Sequence, residues 1–185
     1  MIRSKRDLKE YVKADISVQE MKHPFLAKMS YGETPYIIHY LLVLRHLEYY
    51  LNKNKKNFLD KILLAYYGLH HRKHCLSYNM YIYPNVAEKG LKIVHPGYRR
   101  IDSQVKLGTN CTVLPMVLFG RKREVPDNND YILVGDNCYF GTGCTILSPC
   151  KIGNNVTVGA GAVVIKDIPD NAIVAGVPAK IIKYK

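Results

Sequence analysis

From Val134 onward the chain repeats in sixes: Val134, Phe140, Ile146, Ile152, Val158 and Val164 all carry bulky apolar side chains. The same step runs backward through Phe119, Val113, Leu107 and Ile101. A period of six fits neither a helix, whose apolar face recurs about every 3.6 residues, nor a strand that alternates every second residue. It fits a parallel β-helix, in which each coil holds three short strands and equivalent residues of successive coils stack. Gly135, Gly141, Gly153 and Gly159 follow apolar positions, and the reason expected for them is a tight corner with positive φ.

The same register interprets the cysteines. Cys111, Cys138, Cys144 and Cys150 share the fifth place of their hexads, where Val105, Val117, Val156 and Ala162 stand in other coils. That place calls for a small inward side chain, and a free thiol packs as one. The cysteines therefore read as core residues, with no disulfide or metal cluster expected.

Residues 80–185 are assigned to the β-helix and residues 1–79 to a helical N-terminal region, with helical character over 5–15, 35–52 and 56–75. Pro35 suits an early helical position, and Asn52 to Asn57 form a polar break. Residues 120–133 interrupt the period, are polar and contain Pro126, so they read as a loop extruded from a coil. That loop carries the Arg121-Lys122-Arg123 triplet. His70 and His74 have the spacing of two metal ligands on a helix, but no acidic or Cys partner completes that site and Arg72 and Lys73 would repel a cation. They read as a surface pair, and no metal is expected.

Net charge is +12, divided as +7 over residues 1–80 and +5 over the rest, so the excess forms no single tail. Such a field favours anionic partners: nucleic acid, acidic membrane, polyanionic glycans or phosphorylated cofactors. No nucleic-acid motif accompanies it, and none is expected to bind. The charged start Met1-Ile2-Arg3-Ser4-Lys5-Arg6-Asp7 has no signal-like apolar core, and Tyr36 to Leu44 is too short to span a bilayer. The expectation is a soluble cytoplasmic protein, with peripheral contact to a membrane-bound glycan precursor left open.

The segment Gly90-Leu91-Lys92-Ile93-Val94-His95-Pro96-Gly97, with Asn85-Val86 before it, resembles the catalytic-histidine motif of the serine acetyltransferase family. Its nearest likeness is to the polysaccharide-biosynthesis O-acetyltransferases grouped there. Leu47-Glu48-Tyr49-Tyr50 and Leu76-Ser77 resemble that subgroup too. The stretches Gly159 to Pro169 and Ala175-Gly176-Val177-Pro178-Ala179-Lys180 look like the usual ending of hexapeptide-repeat acyltransferases. The likeness covers roughly residues 35–185.

This resemblance implies a left-handed β-helix that forms a homotrimer, with active sites in the clefts between subunits and acetyl-CoA as cosubstrate along the later coils. By position, Gly141, Thr142, Gly159 and Ala160 would pass the pantetheine arm, while Lys166, Lys180 and Lys183 would meet phosphates as point charges. His95 would be the general base that takes the proton of an attacking hydroxyl in a ternary complex, without an acyl-enzyme. Backbone N–H groups would stabilise the oxyanion.

The departures concern the acceptor. Serine acetyltransferases carry an aspartate one coil upstream that orients the histidine; Met80-Tyr81-Ile82-Tyr83 stands there instead. Val94 replaces an aspartate, and Tyr131 falls near a second substrate-contacting histidine. The candidates to orient His95 are a backbone carbonyl, Glu88 or Asp102. Arg99 and Arg100 replace apolar residues. Arg99 takes the inward fifth place, so it is expected in the cleft or distorting its coil, where it would pair with a carboxylate of an acidic sugar or of the protein. The reading is O-acetyl transfer to a hydroxyl of a sugar or polysaccharide precursor. Serine O-acetyl transfer and a non-catalytic β-helix scaffold are the alternatives. Zinc carbonic anhydrases of this fold need three histidines, and His95 is the sole histidine after His74.

Overall fold

The structure is a computed structural model that describes residues 1–19, 32–122 and 130–185. The expected loop at 120–133 therefore falls in large part, residues 123–129 with Arg123, outside the described residues.

Short strands stack across coils on three faces. The first face holds β1 (Met80–Ile82), β3 (Arg99–Ile101), β6 (Leu118–Arg121), β9 (Thr145–Ser148) and β12 (Val163–Val164). The second holds β4 (Val105–Leu107), β7 (Ile132–Val134) and β10 (Cys150–Ile152). The third holds β2 (Lys92–Ile93), β5 (Thr112–Val113), β8 (Tyr139–Phe140), β11 (Thr157–Val158), β13 (Ala172–Ala175) and β14 (Lys180–Tyr184). Pairing is parallel except between β13 and β14. Tyr139 lies beside Thr157, eighteen residues on, so three hexads close one coil. The hexad leaders Ile101, Phe119, Ile146, Val113, Phe140 and Val158 all point inward and are buried, so the period of six is the period of the core.

Cys111, Cys138, Cys144 and Cys150 are free and buried within that core. Burial pushes the Cys144 and Cys150 thiols up to about 12, which keeps them protonated and unreactive at neutral pH.

The glycines have a different cause from the one expected. Gly135, Gly141, Gly153 and Gly159 do not sit at positive φ. A Cβ on Gly141 would stand 2.7 Å from the Ala160 nitrogen of the next coil, and one on Gly153 would stand 2.6 Å from the Asp170 nitrogen. Close stacking of coils excludes a side chain there. The left-handed corner is carried instead by asparagines 110, 137, 155 and 171, whose short polar side chains tolerate that region.

The helices are α1 (Lys5–Val18), α2 (Thr34–Asn52) and α3 (Phe58–Tyr78). Ser4 with Asp7, and Asn57 with Asp60, form capping boxes that start α1 and α3. Asn79 ends α3 in a left-handed conformation, and β1 begins at the next residue. The helical layer is sealed onto the first coil by polar contacts. Tyr40 donates to the Met80 carbonyl at 3.0 Å and accepts from the Ile82 N–H at 3.2 Å. His74 is 9% exposed and stacks on Tyr78, so it is a packed aromatic and not the surface residue expected; His70 is half-buried against Tyr66. No helix among the described residues is long and apolar enough to cross a membrane.

Candidate active site

Between β2 and β3 the chain turns from the third face to the first, and His95 occupies that corner. Its φ is +56°, followed by Pro96 and by Gly97 at +130°. Positive φ in a non-glycine residue is uncommon and concentrates at functional sites. The side chain is 67% exposed in the single chain and points outward.

His95 Nδ1 lies 2.6 Å from Glu33 Oε2, an ion-pair and hydrogen-bond distance. Glu33 is the residue preceding α2, whose first turn holds Pro35. A carboxylate on Nδ1 fixes the ring so that Nε2 is the nitrogen free to accept a proton. Neither carboxylate named from the sequence reaches the ring. Glu88 accepts from Tyr11 and from the N-terminal ammonium. Asp102 accepts from Arg100 Nε at 3.0 and 3.1 Å. Glu33 was invisible to sequence reasoning because it lies 62 residues away, in a segment with no repeat.

Arg99 does not enter an open cleft. Its side chain is fully buried under the His95 corner and donates to the carbonyls of Val94 at 3.2 Å and His95 at 2.5 Å. Burial without a carboxylate pushes its guanidinium down to about 10.

The same corner recurs in each later coil. Val94 N–H donates to Val113, Leu114 to Phe140, Gly141 to Val158 and Gly159 to Val174, so the residues after these donors stack beneath His95. Thr142 and Ala160 are exposed along that edge, three coils or about 14 Å from end to end. Between them the edge is bare: a Cβ on Gly161 would meet nothing within 4 Å, and one on Gly143 only the Gly161 nitrogen at 4.0 Å. Both have φ near +70°, +66° at Gly161 and +72° at Gly143. These two glycines, not named from the sequence, leave a shallow track, whereas Gly141 and Gly159 are required by coil stacking. Lys180 pairs beside Ala175 at the end of the edge, and Lys183 beside Ile173 further along the third face. Asp102, Tyr131 and Lys166 lie on the turn from the first to the second face, away from His95 within one chain. Tyr131 carries the Lys151 ammonium over its ring at 5.9 Å.

Residues 131–166, which span β7 to β12, match the family model described as Bacterial transferase hexapeptide (six repeats). Over those residues the chain carries the hexapeptide repeat of bacterial transferases. Among relatives, this hexapeptide-repeat chain is 48% identical over 52 residues to WbbJ of Escherichia coli K12, named as an O-acetyl transferase of lipopolysaccharide biosynthesis. That match covers 28% of this chain and 26% of WbbJ. It is 35% identical over 82 residues to the serine acetyltransferase of Mycobacterium tuberculosis H37Rv, covering 44% of this chain and 35% of that one. The chain thus spans about a third or less of either relative. The serine acetyltransferase of Brucella abortus S19, solved in complex with coenzyme A, superposes with a TM-score of 0.75 at 20% identity. That superposition covers 98% of this chain and 70% of the other, and it extends the shared fold through the helices.

Proposed function

We propose that this chain is an acetyl-CoA-dependent O-acetyltransferase acting on a hydroxyl of a sugar or polysaccharide precursor. The Glu33–His95 pair carries the reading. Glu33 holds Nδ1, so Nε2 takes the acceptor's proton as its oxygen attacks the thioester carbonyl. Collapse of the tetrahedral intermediate expels the thiolate, which recovers that proton from the imidazolium. Acetyl-CoA would lie along the bare edge past Thr142, Gly143, Ala160 and Gly161, with Lys180 and Lys183 near its phosphates. A left-handed trimer would bring Asp102, Tyr131 and Lys166 of one copy toward His95 of another.

Glu33 also revises the case against serine. The missing aspartate at Met80 to Tyr83 does not discriminate between acceptors once another segment supplies the carboxylate. Val94 and Tyr131 still depart from the serine pattern and favour a different acceptor. The test is thiol release from acetyl-CoA by wild type and His95→Ala, with serine, neutral sugars, acidic sugars and nucleotide sugars as acceptors. Sugar-dependent release lost in the variant is the expected result. Turnover with serine alone overturns the acceptor, and no release with any acceptor leaves the scaffold reading in front.

A further inference from the structure

We propose that Arg99 is a positioning residue for His95, its buried guanidinium holding the left-handed turn that aims the imidazole. This rests on His95 acting as the base. Arg99 stands in an inward column: the next residue's N–H donates to Val117, and the column continues through Cys144 and Ala162. Those neighbours are small and apolar, so packing alone does not call for a guanidinium there. A buried cation without an anionic partner is unfavourable. Among the described residues no carboxylate pairs with Arg99, Nη1 meets only the Met80 sulfur at 3.4 Å, and Nε has no partner.

What the side chain does hold is the pair of peptide planes on either side of the His95 Cα. Nη2 donates to the Val94 carbonyl before it and to the His95 carbonyl after it. Fixing both planes fixes φ and ψ at His95, and therefore the direction of its Cα–Cβ bond. This backbone is in the uncommon left-handed region, where a residue persists only if its surroundings over-determine it. Glu33 fixes the rotation of the ring and Arg99 fixes where the ring starts.

The test uses the full chain with Arg99→Met, which fills the volume beside Met80, and Arg99→Lys, which keeps the charge. Arg99→Met is expected to lower kcat about 100-fold, the scale of a misplaced catalytic group, with KM for acetyl-CoA held within about twofold. Its Tm is expected to stay level or rise, because an unpaired buried cation has gone. Arg99→Lys is expected to restore part of kcat. The His95 ring resonance, assigned by its loss in His95→Asn, is expected to move in Arg99→Met. Unchanged kcat, or kcat and Tm falling together, overturns the proposal. If wild type transfers acetyl to no acceptor, the functional reading fails separately. The ring resonance then decides for Arg99: a moved resonance supports it, and an unmoved one overturns it.

Discussion

Arg45 and Asp15 form an enclosed ion pair, Nε to Oδ2 at 2.7 Å, that ties two helices to the strand leading into His95. Asp15 Oδ1 accepts from the Gly90 and Leu91 N–H groups at 2.8 and 3.0 Å, while Arg45 also reaches Glu48 and the Ala87 and Glu88 carbonyls. Removing one partner strands the other charge inside the protein. Asp15→Ala is expected to destabilise by about 3–5 kcal/mol in urea unfolding. Arg45→Met together with Asp15→Ala should lose clearly less than the sum of the single changes.

The Glu33–His95 pair predicts the opposite balance. Glu33 is 50% exposed and His95 67%, so Glu33→Gln should change stability by no more than about 0.5 kcal/mol. Its kcat should fall roughly 100-fold, short of the ~10⁴ that a fully buried orienting carboxylate supplies. Steady-state kinetics beside a melting curve checks both halves; an unaltered kcat would remove Glu33 from the mechanism.

The two kinds of glycine on the His95 edge separate experimentally. Gly141→Ala puts a methyl 2.7 Å from the Ala160 nitrogen and 3.0 Å from the Val158 carbonyl oxygen. It should destabilise by about 1–3 kcal/mol. Gly161→Ala meets no atom, and its left-handed φ adds about 1 kcal/mol of backbone strain. Its main effect should be on KM for acetyl-CoA, raised about fivefold or more, ~1 kcal/mol. Equal KM in Gly161→Ala and wild type would take the cosubstrate off this edge.

His71 makes stability depend on pH. Burial against Tyr40 and Cys75 pushes its imidazole down to about 4, so the fold holds it neutral while the unfolded chain protonates near 6.5. Between those values the unfolded state binds the extra proton, so stability is full above about pH 6.5 and falls as pH drops toward 4. The loss at pH 4 amounts to roughly 3 kcal/mol. Urea midpoints measured from pH 7 to pH 4.5 should fall, and the slope should flatten in His71→Gln.

How far the sequence could be read depended on the range of each interaction. The hexads showed the coil because equivalent residues recur at a fixed step, and Phe119, Phe140 and Ile146 stack where that step puts them. His95 stood out because its neighbours form a continuous motif. Glu33 did not, since its meeting with His95 depends on how α2 docks and leaves no local pattern. Arg99 was expected in the cleft or distorting its coil and paired with a carboxylate; it is buried instead, and its partners are backbone carbonyls, which carry no sequence signature. The stacking glycines were found for a mistaken reason: close approach of two coils and positive φ both select glycine, and sequence cannot separate them.

The antiparallel return of β14 onto β13 bears on how these molecules behave at high concentration. Ala172 to Ala175 would otherwise present a free row of N–H and C=O groups, the template on which extended segments of other chains add. Among the described residues, β14 takes that outer place on the third face, and it carries Lys180 and Lys183 along its length, with Lys185 just after it. Like charges brought into register repel, so the strand proposed to meet the cosubstrate's phosphates also keeps one molecule's sheet from growing into the next.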